Sequence, residues 1–253
     1  MKNSNFHALT SFLAFCCLAT ACRTYDKTQG SETTSSLQDF SALPNFHSVA
    51  DCTPEKEADV LAEATGTSPE AVIDCTLRLK NNSAVITKRL AFVGSKSSRV
   101  VLDCSGSRIQ PSTPGYSIAI FSQKNERGEW SRPSDVLIKN CFVKGSIRVW
   151  GMATNGEGEL LRESSRQASH TERAQAAAPT KITFDKVSIE AAGTIPLYLS
   201  PGVTHVVFQR SAISGKGTSV AVYLDAESAR NTIWYNNINM KTASREVLAV
   251  DGS

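Results

Sequence analysis

The strongest constraint on the fold is a repeat in the second half of the chain. The segments ITFDKVSI (residues 182–189), VVFQRSAI (206–213) and IWYNNINM (233–240) carry apolar residues at their first, third and eighth positions. These are Ile182, Phe184 and Ile189; Val206, Phe208 and Ile213; and Ile233, Tyr235 and Met240. VLIKNCFV (136–143) fits the same frame. A second short apolar run follows each of the first three: IPLYLS (195–200), VAVYLD (220–225) and VLAVDG (247–252). Those blocks start 24 and 27 residues apart, at 182, 206 and 233. A period in the twenties, filled by short strands without helices, predicts a parallel β-helix rather than a leucine-rich repeat or a propeller. One coil cannot bury its inward side chains alone, so the core has to come from stacking. The rival is a β-sandwich, which needs hairpins between antiparallel neighbours, and no series of Asn-Gly or Asp-Gly pairs recurs at hairpin spacing.

Upstream, VVLDCSGSRI (100–109) and YSIAIFS (116–122) read as N-terminal coils. TPEKEADVLAEAT (53–65) reads as an amphipathic helix, with Thr53 as N-cap, Pro54 at the first helical position and Val60, Leu61 and Ala64 on one face. Such a helix would cap the open first coil and hide its strand edges. At the other end, REVLAVDGS stops inside a strand-bearing coil. The expectation there is an uncapped terminus: a truncated gene, a domain that continues, or a partner that covers the last coil.

The runs DVLIKNCFV, KITFDKVSI and NTIWYNNI resemble those of right-handed parallel β-helix repeat proteins, the pectate-lyase-like group. The resemblance covers roughly residues 83–253 apart from an insertion. It implies a right-handed solenoid, a fold shared by polysaccharide lyases, hydrolases, epimerases and adhesive surface proteins. No catalytic signature of one such family is matched, so the resemblance assigns no active residue.

Residues 1–21 read as an export signal: Lys2, then a mostly apolar stretch from Phe6 to Ala21 that is too short and too interrupted for a membrane span. Leu18-Ala19-Thr20-Ala21-Cys22 resembles a bacterial lipobox, which makes Cys22 the lipidation candidate. Residues 22–48, rich in Ser, Thr and Gln, then form a tether, and a coil of about 26 residues spans roughly 25–30 Å. The expected location is an outer-membrane or cell-surface lipoprotein, with periplasmic or secreted protein as the alternative. Membrane contact would run only through the lipid.

Cys52, Cys75, Cys104 and Cys141 remain in an oxidising compartment and permit three pairings. Cys52 with Cys75 is the preferred one, and buried free thiols are the alternative. Lys plus Arg number 27 against 24 Asp plus Glu, with no basic run dense enough to track a phosphate backbone, so nucleic acid is not an expected partner. Four scattered histidines make no metal site.

Stacking the second runs places Leu199, Leu224 and Val250 in one inward column and Ser200, Asp225 and Asp251 in the next, polar one. Rungs of a parallel sheet lie about 4.8 Å apart, so the two carboxylates become neighbours. The pair suits general acid/base work on a glycosidic bond, or Ca²⁺ binding that holds an acidic sugar. The plainer reading is a strand-to-turn corner where Asp and Ser accept backbone hydrogen bonds. Tyr198 and Tyr223 fall in one outward column, where phenol rings meet the C–H faces of sugars or simply stack on the sheet.

The insertion at 151–180 breaks the coil period and reads as a loop with a short helix near HTERAQAAA. It supplies Glu157, Glu159, Arg162, Arg166, His170 and Arg173. His170 is a candidate general base, or a solvated loop residue. Arg166 and Arg245 are candidates for holding substrate charge. Asp225, Asp251, Glu227 and His170 are thus the candidate catalytic groups; Arg166, Arg245, Tyr198 and Tyr223 are the candidate substrate-binding groups. The expected ligand is a polysaccharide, an acidic one first, which the protein binds or also cleaves or epimerises. The alternative is a non-catalytic surface or envelope assembly protein.

Overall fold

In a computed structural model the chain divides into two units, Met1–Leu43 and Pro44–Ser253. The structure describes residues 48–151, 165–243 and 246–251, all within the second unit. The export signal, Cys22, the tether up to residue 47, Glu157, Glu159, Arg162 and Arg245 lie outside the described residues.

The strands build three parallel sheets. The first runs in the order β1 (Glu70–Val72), β4 (Arg89–Val93), β7 (Ile118–Phe121), β12 (Ile147–Trp150), β15 (Leu197–Leu199), β18 (Val222–Leu224) and β21 (Leu248–Val250). The second holds β2 (Leu77–Arg78), β5 (Val101–Asp103), β10 (Ser134–Lys139), β13 (Thr180–Asp185), β16 (Val207–Gln209) and β19 (Thr232–Trp234). In the third lie β3 (Val85–Ile86), β6 (Arg108–Ile109), β11 (Phe142–Lys144), β14 (Ser188–Gly193), β17 (Ala212–Gly217) and β20 (Asn237–Lys241). After β1 the chain visits the second, third and first sheets in rotation, and each strand pairs in parallel with its counterpart one rung back. The described chain is therefore a stack of parallel strands, compatible with a solenoid and not with an antiparallel sandwich. Its first strand begins at residue 70, ahead of the stretch from about 83 that carries the resemblance.

Thr183 pairs with Val207 and Val207 with Thr232, so these rungs lie 24 and 25 residues apart. The third block is thus set two residues away from the alignment expected of it. Phe208 stacks on Ile233 and Ile213 on Ile238, while Tyr235, expected to face inward, is 72% exposed. A slip of two keeps the same side-chain parity, so alternation alone does not reveal it.

Inward columns fill the space between the sheets. One runs Leu77, Leu102, Ile138, Phe184, Phe208, Ile233; another Ile86, Ile109, Val143, Ile189, Ile213, Ile238. All but the last member of each are buried. Each such side chain contributes roughly 1.5–3 kcal/mol when fully buried. The corners between strands recur as well: Ser105, Asn140, Lys186, Arg210 and Tyr235 all take positive φ between the second and third sheets.

The helix α1 (Pro54–Leu61) starts as expected, with the Thr53 side chain accepting from Lys56 N at 3.3 Å. It ends at Leu61, short of the expected Ala64, because Ala62 turns to extended backbone (ψ 148°) and Thr87 Oγ1 takes the Ala64 N–H. Val60 joins the main core, while Leu61 stays exposed. Lys88, its side chain only 3% exposed, donates to Asp59 Oδ1 at 2.6 Å and Asp59 O at 2.8 Å, tying α1 to the first coils.

Two excursions leave the stack. An antiparallel hairpin, β8 (Gln123–Lys124) with β9 (Trp130–Ser131), was not expected; its turn is closed by Asn125 Oδ1, which accepts from Arg127 N and Glu129 N. The helix α2 (His170–Ala177) falls where the insertion was expected to carry one. Cys52 is bonded to Cys75, the preferred pairing, and Cys104 to Cys141, across adjacent rungs. No helix among the described residues is long and apolar enough to cross a membrane.

Candidate functional site

The outer face of the first sheet gathers the candidates. In β15 Leu197 and Leu199 point into the core, so Tyr198 points out, and the register places Arg148, Tyr198, Tyr223 and Ala249 in one column. The next outward column runs Val93, Phe121, Trp150 and, beyond the paired residues, Ser200, Asp225 and Asp251. Backbone bonds Asp225 N to Leu199 O (2.9 Å) and Asp251 N to Leu224 O (2.8 Å) continue that ladder past the strand ends. The sheet register therefore brings Asp225 and Asp251 onto adjacent rungs.

Each carboxylate is met by the phenol of the rung before it. Tyr198 donates to Asp225 Oδ2, and Tyr223 donates to Asp251 Oδ2 at 3.2 Å. The two rings stack with centroids 5.7 Å apart at 30°. Burial first, then the bond to Asp225 and its charge, push the Tyr198 phenol above its usual range, against the opposing pull of Arg148. Tyr223 is raised as well, by burial first, then by its bond to Asp251 and the charges of both aspartates. Both phenols are thus hydrogen-bond donors at neutral pH, not bases. Asp225 Oδ1 also accepts from Ala226 N at 2.9 Å, the corner role expected of an Asp at a strand end.

Arg148 and Trp150 were not among the expected site residues. The Arg148 guanidinium lies over the Tyr198 ring at 5.6 Å and donates to Ile195 O at 2.5 Å. Burial lowers it to about 10, partly offset by Tyr198. Trp150 packs edge-on against Tyr116 (5.2 Å) and Phe121 (6.5 Å). Both were legible in SIRVWG: extending the second-run alignment one coil upstream puts Arg148 in the tyrosine column and Trp150 in the acidic one.

Glu227 and His170 meet at the turn after β18. Glu227, at φ +55°, stands 3.4 Å from His170 Nε2, and both side chains are largely buried (12% and 19% exposed). Gln175 Nε2 donates to Glu227 O at 2.8 Å, so α2 is seated on this turn at two points. Gly202 makes the seat possible, since a Cβ there would lie 2.5 Å from the Ala174 carbonyl. Arg166 is exposed ahead of α2, and Arg245 lies outside the described residues. Trp234 donates from Nε1 to Gln209 Oε1 at 2.9 Å on the second sheet.

No family model, curated protein or solved structure matches this chain. The site is read from its own chemistry. It offers a stacked pair of phenol rings, two carboxylates that accept from those phenols, and a His–Glu pair that fixes one imidazole. Among the described residues no group of three or more His, Cys, Asp or Glu is arranged to hold a metal ion.

Proposed function

We propose that this chain is an exported, lipid-anchored, right-handed parallel β-helix protein of the pectate-lyase-like kind that binds a carbohydrate on the outer face of its first sheet. The observation that carries this reading is the stacked Tyr198–Tyr223 pair, with Asp225 and Asp251 one rung along from each phenol. Sugar rings present apolar C–H faces to such rings and hydroxyl donors to such carboxylates. Spacing by one rung, about 4.8 Å, matches a polymer lying along the stack.

Turnover of the same ligand, by a lyase, hydrolase or epimerase route, falls to His170 as the base that Glu227 orients, with Asp225 two residues away.

Calorimetric titration with neutral and acidic polysaccharides tests the proposal, with new reducing ends or unsaturated products read in parallel. The Tyr198→Ala/Tyr223→Ala double variant should lose binding at least tenfold, as removal of two stacking surfaces predicts. Unchanged binding in that variant sinks the sheet-face reading. Binding without products leaves a binding module, and His170→Gln then changes nothing.

A further inference from the structure

Charges on the outer face of the second sheet alternate from rung to rung. Arg78, Asp103, Lys139 and Asp185 follow one another in register, and Lys139 Nζ lies 3.0 Å from Asp103 Oδ2. The third sheet breaks that pattern. Lys216 pairs with Lys241 on the next rung, so two ammonium side chains leave one face from backbones about 4.8 Å apart. Like charges placed so destabilise a sheet, and an external anion relieves the cost.

The rest of that face has the same sign. Its described strands carry Arg108, Lys144, Lys216 and Lys241, all exposed, against a single acid, Glu190. Arg108 Nη1 donates to Glu190 Oε2 at 3.2 Å, which leaves the three lysines without an ion pair among the described residues. Apolar groups sit beside the charge. Val85 and Phe142 flank Arg108 in one column, and they are 50% and 48% exposed. That column continues as Ser188, Ala212 and Asn237, whose short side chains keep the surface level.

We propose that the outer face of the third sheet rests on the anionic headgroups of a lipid bilayer. Lys144, Lys216 and Lys241 meet the headgroup phosphates, and Phe142 and Val85 enter the interface between headgroups. A soluble polyanion would engage the lysines and leave the two apolar side chains in water, so a bilayer fits the face better. The inference rests on the lipid-anchored reading above, which brings a bilayer within a tether's length, and it adds a second attachment to the first.

The test is co-sedimentation of the chain lacking residues 1–22 with vesicles of phosphatidylcholine, alone or mixed about 3:1 with phosphatidylglycerol. That deletion takes away the signal and the lipid and keeps the whole unit Pro44–Ser253 with its core. The mixed vesicles should bind it at least tenfold more tightly than phosphatidylcholine alone, and the difference should shrink as salt is raised. Lys216→Gln/Lys241→Gln should weaken that binding about 25-fold, roughly fivefold for each lysine near an anionic surface. Lys96→Gln/Arg127→Gln removes the same charge from the turn after β4 and from the β8–β9 hairpin, and should change binding less than about twofold at physiological salt. Phe142→Ala should weaken the part that survives high salt. Equal binding to both vesicles, or equal effects of the two double variants, overturns the bilayer contact. So does binding of polyglutamate as tight as that of mixed vesicles with Phe142→Ala silent, which makes the ligand a soluble polyanion. The anchor fails separately: an unmodified Cys22 in the mature protein, read by mass spectrometry, removes it and leaves the face standing. An acylated Cys22 with no preference of the deleted chain for phosphatidylglycerol does the reverse.

Discussion

Tyr198 carries the clearest chemical signature in the site. Its phenol is held above the ordinary value of 10 by burial first and by Asp225 second, so the folded chain keeps a proton there that the unfolded chain gives up. The stability this contributes is present below pH 10 and is lost as pH rises beyond it. In an alkaline denaturation series, Tyr198→Phe should therefore flatten the decline above pH 10, and in Asp225→Asn the phenolate absorbance of Tyr198 should appear at lower pH. Asp103 behaves in the opposite sense. Burial alone would raise its carboxyl, but Asn140 Nδ2 (2.9 Å), the Lys139 ammonium (3.0 Å) and Ser105 N (3.0 Å) outweigh that and hold it below 3.8. Its contribution is present above pH 3.8 and lost as pH falls through the lowered value, so denaturant midpoints of Asp103→Asn should fall less on acidification than those of the parent. Both residues lay in plain view in the sequence. The partners did not, because Tyr198 and Asp225 are 27 positions apart and Asp103 and Asn140 are 37 apart.

Elements show where local pattern suffices and where it does not. The N-cap of α1 follows from Thr53-Pro54, whose side chain and fixed φ satisfy and pre-shape the first turn. Its end does not, since Ala64 is claimed by Thr87 from a later coil. The β20 register slipped by two because a shift of two leaves inward residues inward, and only pairing with β17 decides between Ile238 and Met240. α2 depends on a residue that no helix pattern contains. Gly202→Ala drives a Cβ to 2.5 Å from the Ala174 carbonyl at φ +76°, and should cost about 1–3 kcal/mol while detaching His170 from Glu227. Gly66→Ala, where nothing lies within 4 Å, is the control and should stay within about 0.5 kcal/mol. Thermal melts read the first effect, and the His170 ring shift in NMR reads the second.

For the molecule as a whole, stability resides in the inward columns, where each rung is buried by its neighbours. Phe208 sits between Phe184 (ring centroids 6.2 Å) and Ile233, so Phe208→Ala should cost about 3–5 kcal/mol in denaturant unfolding. Ile238, in the outermost described rung and half-buried, should cost less on the same change. The sequence by itself determined the stack: an apolar period of two repeated every two dozen residues can bury its inward side chains only by parallel piling, and from that Asp225 and Asp251 fall on adjacent rungs. It likewise contained the tyrosine column and the helix of the insertion. Only the tertiary structure decided what those groups touch. Parity fixes which face a side chain takes, but not the register to the residue, the phenol that meets each carboxylate, or the seat of α2 that brings His170 to Glu227 and Ala174 and Ala177 to Trp130, because these depend on contacts between residues far apart in the chain.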